Sequence, residues 1–244
     1  FIRIGTDVSD SESAEKYIKH AKAAGLEVGY NFMKSYVVPP YELCRRATEI
    51  ENFGADVISL VDSAGGMLPK EVAQYIRLMK ECLSVRIGFH GHNNLLLANA
   101  NNIAAIENGA KVIDTTLMGM GRGAGNAQTE SMLVILKKMG VDIRIDPLKI
   151  SNISMEYISP KAHSLKGSDD LQLIMGYAQF HDAYINKIKT AANDFGIDYR
   201  LLIIEVSKFN KENPSNELIE GLAKELSLGD AFKVFYPKFH HKKL

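Results

Sequence analysis

The sequence predicts an α/β fold with a parallel sheet, and three observations support this prediction. Apolar, β-branched runs alternate with longer stretches of helical periodicity, four predicted helices are followed by a glycine, and the predicted strands turn polar where they end. Strands that alternate with helices of this length need crossover connections, which make neighbouring strands parallel. The expected class is therefore α/β.

Five strand–helix units are predicted from this alternation. In chain order they are Phe1–Thr6 with Glu12–Ala24, Glu27–Met33 with Tyr41–Phe53, Asp56–Val61 with Lys70–Cys82, Arg86–His90 with Leu95–Asn108, and Lys111–Leu117 with Gln128–Met139. A glycine just past a helix supplies the left-handed backbone that ends it. The glycines that do so here are Gly25, Gly54, Gly109 and Gly140.

Polar side chains mark the carboxyl ends of the predicted strands. They are Asp7, Asn31, Asp62, His90 with His92, and Asp114 with Thr115. In parallel α/β folds the ligand site lies at this end of the sheet. The histidine pair therefore falls where chemistry is expected.

Five units are too few for a closed (β/α)₈ barrel, which needs eight. The chain is therefore either an open sheet or a barrel whose first three units are missing from it. After Asp146-Pro147 the pattern becomes helical only, with a long helical stretch over Leu171–Phe195. We expect a strand–helix region over residues 1–145 and a helical C-terminal region over residues 146–244.

Composition limits the classes of function. Among 244 residues, 29 Lys and Arg balance 29 Asp and Glu, so no global field attracts nucleic acid or a membrane surface. The basic segment Lys238–Lys243 is expected to be a solvated tail. Cys44 and Cys82 fall in two predicted helices without ligand spacing, which favours separate thiols of a reducing compartment. A soluble, cytoplasmic enzyme is the expectation.

The most informative segment is Gly88-Phe89-His90-Gly91-His92-Asn93-Asn94, at the end of the fourth predicted strand. Residues i and i+2 of a strand project from the same face, so both imidazoles can reach one cation. Two imidazole nitrogens with a few oxygen ligands suit a divalent transition metal and leave positions open for a chelating substrate. A hydrogen-bonded strand end is the alternative for this pair.

Three separated motifs carry a resemblance to a known family. They are Val61-Asp62-Ser63-Ala64-Gly65-Gly66, the histidine segment continued through Leu95, and Gly119-Met120-Gly121-Arg122-Gly123-Ala124-Gly125-Asn126. In this order and spacing they resemble the pyruvate-using, metal-dependent aldolases of the DRE-TIM metallolyase superfamily, most nearly the 4-hydroxy-2-oxovalerate aldolases. The likeness continues at Leu173-Ile174-Met175-Gly176-Tyr177-Ala178, which is similar to a glycine–tyrosine motif of their C-terminal helical region.

The resemblance implies a (β/α)₈ TIM barrel in which Phe1–Thr6 is the fourth strand. In the family the first strand supplies an arginine that polarises the substrate, an aspartate metal ligand and, nearby, a histidine base; none can be assigned in this sequence. The resemblance makes His90 and His92 the ligands of a divalent ion, Mn²⁺ or Mg²⁺. Two imidazoles without a carboxylate are expected to hold such an ion poorly.

The resemblance also assigns roles to Ser63 and Asn126. Ser63 matches a family position that contacts the pyruvyl group, and an Asx-type turn that caps the next helix is its alternative role. Asn126 matches an asparagine that is a metal ligand in lyase and synthase relatives, and N-capping is its alternative. Asp62 and Asp114 are expected to orient strand-end networks rather than bind the ion. No Lys-Ser/Thr follows the loop Gly119–Gly125, which excludes a nucleotide-binding loop.

His181 stands where the family motif continues to a second tyrosine used in proton transfer. Histidine titrates near neutrality, so catalysis by His181 and a structural role as a hydrogen-bonded helical residue are both open at this point. His20 and His163 are expected at the surface.

The activity implied is cleavage or formation of a 4-hydroxy-2-oxo acid, with a pyruvate enolate and an aldehyde as the two halves. One alternative is a Claisen-type synthase that joins an acyl-CoA to a 2-oxo acid, as isopropylmalate and homocitrate synthases do. The other is a non-catalytic barrel that acts as an interaction module. The expected partners are the small-molecule 2-oxo acid and aldehyde, with an acylating aldehyde dehydrogenase and a homo-oligomer as further features of the family.

Overall fold

The computed structural model describes residues 1–161 and 167–229, which form two compact units. The first unit is Phe1–Gln179 and the second begins at Phe180. His163 and the basic segment Lys238–Lys243 lie outside the described residues. Within the described ranges, no helix combines the length and the apolar composition needed to cross a bilayer.

The first unit is built on five parallel strands whose order in the sheet follows their order in the chain. The strands are β1 Ile2–Asp7, β2 Val28–Met33, β3 Val57–Asp62, β4 Arg86–Gly91 and β5 Val112–Ile113. The helices of this unit are α1 Glu15–Ala23, α2 Pro40–Phe53, α3 Pro69–Cys82, α4 Ala98–Asn108, α5 Thr129–Lys138, α6 Pro147–Ile153 and α7 Asp170–Ala178. The predicted α/β class and parallel sheet are confirmed.

Some element boundaries differ from the prediction. A 3₁₀ helix over Val8–Ala14 precedes α1, and α4 begins at Ala98 rather than Leu95. The fifth strand is much shorter than the predicted Lys111–Leu117 because the chain leaves the sheet after Asp114. The Thr116 amide then donates to the carbonyl of Ala127, in the loop before α5, at 3.0 Å. This early departure creates the glycine-rich loop that carries Asn126.

The two faces of the sheet have different chemistry. Side chains on the helix-covered face are large and buried, among them Tyr30, Phe32, Leu60 and Phe89. The opposite face carries small and polar residues: Ser59 lies beside Gly88, and Val61 beside His90, in the register of β3 and β4. Because side chains alternate between faces along a strand, burying one set of residues against the helices directs the histidines to the other face.

The sheet is curled, as an ion pair between its two outermost strands shows. Arg3 of β1 donates two hydrogen bonds to the carboxylate of Asp114, which follows β5. In a flat sheet, four inter-strand steps would separate these strands by about 19 Å, which is more than an arginine and an aspartate can bridge. The five strands therefore curve like part of a barrel wall, with Arg3 and Asp114 on the concave side.

Cys44 and Cys82 are not the separate thiols expected from the sequence. They form a disulfide between α2 and α3, with their Cα atoms 6.3 Å apart. The prediction was wrong because α2 and α3 pack side by side on the sheet, a proximity that 38 residues of sequence separation conceal. Because the two cysteines form a disulfide, they no longer support a reducing compartment.

Helix α7 packs closely against the loop that follows β3. A Cβ built on Gly66 would lie 2.1 Å from the carbonyl oxygen of Gly176, and one built on Gly176 would lie 2.9 Å from the side chain of Leu95. Two backbones approach this closely only where both positions lack a side chain. The glycine–tyrosine motif thus anchors α7 beside the carboxyl ends of β3 and β4.

The loop after β3 is held by a buried carboxylate. Asp62 has no exposed surface, and its two oxygens accept from the backbone amides of Gly66 at 3.1 Å and Met67 at 2.9 Å. Burial raises the pKa of Asp62 to about 6, against the opposing effect of these amide hydrogen bonds. Asp62, not Ser63, therefore forms the turn that leads into α3.

The described part of the second unit, up to residue 229, contains three α-helices: α8 Ile185–Asp194, α9 Tyr199–Phe209 and α10 Asn216–Leu228. Their contact surfaces are apolar and include Ile188, Leu202, Val206 and Ile219. The predicted continuous helix over Leu171–Phe195 was wrong. It is interrupted after α7 because Gln179 adopts a left-handed backbone, with φ of 51°, and ends that helix.

Replacing Gly66 with Ala should destabilise the first unit, because the new methyl group overlaps the carbonyl of Gly176. We expect a loss of about 1–3 kcal/mol in the free energy of unfolding, measured by urea denaturation. Gly221→Ala is the matched control, since a Cβ at that helical position meets nothing within 4 Å. Equal stability of the two variants would contradict the close approach.

The raised pKa of Asp62 predicts a pH dependence of stability. The pKa of Asp62 is 3.8 in the unfolded chain and about 6 in the folded chain, so the folded chain holds the Asp62 proton more tightly. The stabilisation by protonated Asp62 is therefore complete below pH 3.8 and is lost as pH rises through 6. The expected loss is on the order of 2–3 kcal/mol. Urea midpoints measured from pH 3.5 to 7 should show this decline in the wild type relative to Asp62→Asn. Parallel profiles of the two proteins would contradict it.

Candidate active site

The two predicted metal-binding histidines lie together where β4 ends, on the concave side of the sheet. The ring centroids of His90 and His92 are 5.2 Å apart and their planes meet at 80°. The His92 amide donates to the carbonyl of Asp62 at 3.1 Å, which ties the residue to the end of β3. The i, i+2 spacing thus places both imidazoles together, as the strand periodicity predicts. They lie at the carboxyl ends of the strands on the concave side of the sheet, a region called the mouth of the sheet below.

A carboxylate orients the first histidine. The Nδ1 atom of His90 lies 3.0 Å from Oδ2 of Asp114, whose other contacts come from Arg3. Burial alone would raise the pKa of Asp114, but the hydrogen bonds from His90 and Arg3 hold it at about 2. An ionised carboxylate can only accept, so His90 carries its proton on Nδ1 and presents a lone pair at Nε2.

A guanidinium orients the second histidine. Nη2 of Arg122 lies 3.3 Å from Nε2 of His92. Arginine has donors and no acceptor, so in this contact Nε2 of His92 accepts and is unprotonated. Both histidines therefore have Nε2 as the nitrogen with the lone pair, the form that binds a metal ion.

Asn126 lies next to this histidine pair and is nearly buried. It pairs with His92 in an isolated antiparallel bridge, and its Nδ2 donates to the carbonyl of Met120 at 3.1 Å. No donor in the described part of the chain reaches its buried Oδ1. The expected alternative, capping of the next helix, is wrong because Gln128 is the residue that precedes α5.

The glycine-rich loop shapes the space that Asn126 occupies. A Cβ on Gly121 would lie 2.5 Å from Nδ2 of Asn126, so the loop passes directly over the amide. The loop itself is tied to the residues after β4: the Asn93 amide donates to the carbonyl of Gly125 at 2.9 Å, and the Ala124 amide donates to Oδ1 of Asn94 at 3.1 Å. These bonds hold the histidine segment and the asparagine in one framework.

Ser63 is buried at the end of β3. Its Oγ accepts from the backbone amide of Lys34 at 2.9 Å, and a hydroxyl that accepts one bond keeps its own proton for another acceptor. The side chain of Lys34 is also buried, and its Nζ donates to Asp7 at 2.8 Å. Lys34 has a left-handed backbone, with φ of 55°. The ends of β1, β2 and β3 therefore meet at a charged cluster in which Lys34 and Ser63 are buried and Asp7 is partly exposed.

His181 belongs to the second unit and is described within that unit alone. Its Nδ1 accepts from the amide of Ala183 at 3.1 Å, so it caps the 3₁₀ helix Asp182–Tyr184. It has an extended backbone, not the helical one expected from the sequence. Nδ1 also lies 3.3 Å from Oδ1 of Asp182, so both ends of this contact belong to the turn that begins the 3₁₀ helix.

The sequence interpretation did not single out Arg3 and Arg122 at this site. Arg3 is the one charged residue inside an apolar predicted strand, and Arg122 is the one charged residue in a glycine-rich loop. A charged residue in such a segment could have identified Arg3 and Arg122 as candidate site residues. Among the described residues, no group of three or more His, Cys, Asp or Glu side chains is arranged to hold a metal.

Comparison with known proteins places this geometry in a family context. The family model described as HMGL-like matches residues 3–156. These residues include all five strands and the loop that carries Asn126.

Curated relatives of similar sequence carry one name. The chain is 37% identical over 226 residues to a 4-hydroxy-2-oxovalerate aldolase of Carboxydothermus hydrogenoformans and 36% identical to one of Geobacillus thermodenitrificans. Each match covers 93% of this chain, and 67% and 66% of the respective relative. The chain thus spans about two thirds of the length of these relatives.

Solved structures agree on the fold. The N-terminal domain of an inferred aldolase from Bacteroides vulgatus is 28% identical, with a TM-score of 0.64 over 86% of this chain and 64% of that one. The carboxyl transferase domain of Rhizobium etli pyruvate carboxylase has a TM-score of 0.72 at 18% identity, over 92% of this chain and 41% of that one, and supports the fold alone. The chain belongs to the HMGL-like family.

Proposed function

We propose that this chain forms the pyruvate- and metal-binding part of an aldolase that cleaves or forms a 4-hydroxy-2-oxo acid. One observation carries the proposal: His90 and His92 lie side by side at the mouth of the curled sheet, each with an unprotonated Nε2. The names of the relatives support the same reaction class.

The residues at the mouth fit a divalent ion. His90 and His92 offer two nitrogen lone pairs, and Asn126 offers a buried amide oxygen that no described donor satisfies. Burying such an oxygen without a partner costs free energy, which a cation would recover. When bound, Mn²⁺ or Mg²⁺ would supply a Lewis acid where negative charge develops on the C2 oxygen of the 2-oxo acid.

Ser63 supports the substrate assignment through its one remaining donor. Since its Oγ already accepts from the Lys34 amide, its hydroxyl proton is available to a carboxylate oxygen of the pyruvyl group. Asp62 occupies the turn that was the alternative role for Ser63. This arrangement favours Ser63 as a substrate-binding residue.

His181 enters the proposal through its match to the proton-transfer position of the family motif. Its Nδ1 is engaged by the Ala183 amide and lies beside Asp182, so the proposed transfer uses Nε2. Cleavage needs a base for the C4 hydroxyl proton and a donor for the enolate carbon, and we assign His181 to one of these transfers.

The remaining expectations belong to the same proposal. A requirement for acetyl-CoA would indicate the Claisen-type synthase instead, and the names of the relatives favour the aldolase. An acylating aldehyde dehydrogenase partner and a homo-oligomer stay predictions, tested by co-purification and sedimentation. Cytoplasmic location also stays a prediction, now without its cysteine argument.

The proposed function is tested by pyruvate release from a panel of 4-hydroxy-2-oxo acids, coupled to reduction of pyruvate, with Mn²⁺, with Mg²⁺ and with a chelator. We expect turnover that needs the metal. No turnover of any panel member, together with no Mn²⁺ binding, would support the non-catalytic interaction module.

His92→Ala should weaken Mn²⁺ binding, because it removes one of two nitrogen ligands. We expect a loss larger than the roughly 10- to 100-fold that is typical of changes around the ligands, measured by titration calorimetry. His20→Ala is the matched control, since His20 is an exposed histidine on α1. Equal Mn²⁺ affinities of both variants and the wild type would remove His92 from the metal site.

His181→Ala should lower turnover and leave Mn²⁺ affinity unchanged. We expect a decrease in kcat of about 10²- to 10⁴-fold, the usual contribution of a general acid or base. His181→Asn keeps an acceptor for the Ala183 amide without a titratable ring, so it separates proton transfer from capping. Wild-type turnover in His181→Asn would assign His181 a structural role only.

A further inference from the structure

We infer that Arg122 is a substrate-binding residue that receives the carboxylate of the 2-oxo acid beside the metal. The inference rests on the proposed function and adds to it a charged residue from the glycine-rich loop. It follows from the contact of Arg122 with His92 and from the way the glycine-rich loop is held.

The backbone of the loop fixes where Arg122 lies. The carbonyl of Arg122 accepts from the Gly125 amide at 2.8 Å, which closes a tight turn at this position. The amide of Asn93, next to His92, donates to the carbonyl of Gly125 in turn. Arg122 and His92 are thus joined through short backbone contacts, so their side-chain contact belongs to a held arrangement.

The contact itself is incompatible with a bound metal. The guanidinium uses the Nε2 lone pair of His92, and that same lone pair is the one a metal ion needs. A nitrogen lone pair serves one partner at a time, so metal binding displaces Nη2. The displaced guanidinium and the cation are then two positive charges a few ångströms apart, which repel.

An anion placed between the two charges removes this repulsion. A carboxylate has two oxygens and about four lone-pair sites, enough to bind a metal on one side and a guanidinium on the other. The substrate of the proposed reaction carries such a group next to its C2 carbonyl.

The experiment measures the two ligands separately. The probes are Mn²⁺ alone and oxalate, a dicarboxylate that imitates the chelating end of a pyruvate enolate, each titrated into the full chain by calorimetry. The variants are Arg122→Gln and Arg122→Lys, with Arg144→Gln as matched control because Arg144 is an exposed arginine beyond α5. Thermal melting checks that each variant is folded.

We expect Arg122→Gln to weaken oxalate binding in Mn²⁺ at least about tenfold, the size of one lost hydrogen bond to a charged group. Its Mn²⁺ affinity without oxalate should stay the same or rise, because no guanidinium competes for Nε2 of His92. Arg122→Lys should fall between, since an ammonium keeps the charge without the paired donors. The KM for the 2-oxo acid should rise with the oxalate Kd.

Oxalate affinity unchanged within about twofold in Arg122→Gln would overturn the inference and leave the proposed metal site intact. A wild type that binds no Mn²⁺ would count against the proposed function, and metal-free oxalate binding then decides the inference alone. Its loss in Arg122→Gln supports Arg122 as the carboxylate site, and its persistence overturns it. A wild type that binds no oxalate under either condition overturns it as well.

Discussion

The hydrogen-bond chain from Arg3 through Asp114 to His90 is the constraint on which the site depends. It joins the two outermost strands of the sheet, so it exists only when the sheet is curled. The same chain ionises Asp114 and sets the tautomer of His90. The curvature of the sheet and the protonation state of His90 are therefore coupled. Asp114 links them because its carboxylate accepts hydrogen bonds from both Arg3 and His90.

Charge is distributed unevenly around this constraint. Arg3 is matched by Asp114, and the buried Lys34 is matched by Asp7. Arg122 contacts Nε2 of His92, a candidate metal ligand. A guanidinium beside a metal ligand is placed to meet an anion that also binds the metal. Position at the candidate site therefore distinguishes Arg122 from the cations that maintain the curled sheet.

Two sequence features were enough to predict the parallel sheet, its four glycine-terminated helices and the placement of His90 and His92 on one face. They are the alternation of strand and helix patterns and the glycines that follow the helices. The predicted alternation failed where tertiary contacts override local preference. The fifth strand is short because Thr116 pairs with the loop before α5, and the long helix is broken because Gln179 adopts a left-handed backbone. The disulfide between Cys44 and Cys82 was missed because spacing along the chain does not reveal which helices are neighbours.

The sequence by itself determined the class of fold, the mouth at the strand ends and the residue types gathered there, because these follow from side-chain alternation and from hydrophobic burial. Only the tertiary structure decided which nitrogen of each histidine carries its lone pair, that Asn126 keeps a buried oxygen for another partner, and that Asp62 rather than Ser63 makes the turn. Those properties depend on hydrogen bonds between residues far apart in the chain, such as Arg3 and Asp114. The physical reason is that the pattern of residue types along the chain indicates which side chains are buried. Protonation states and metal ligation depend instead on the distances between side-chain atoms, which only the folded structure fixes.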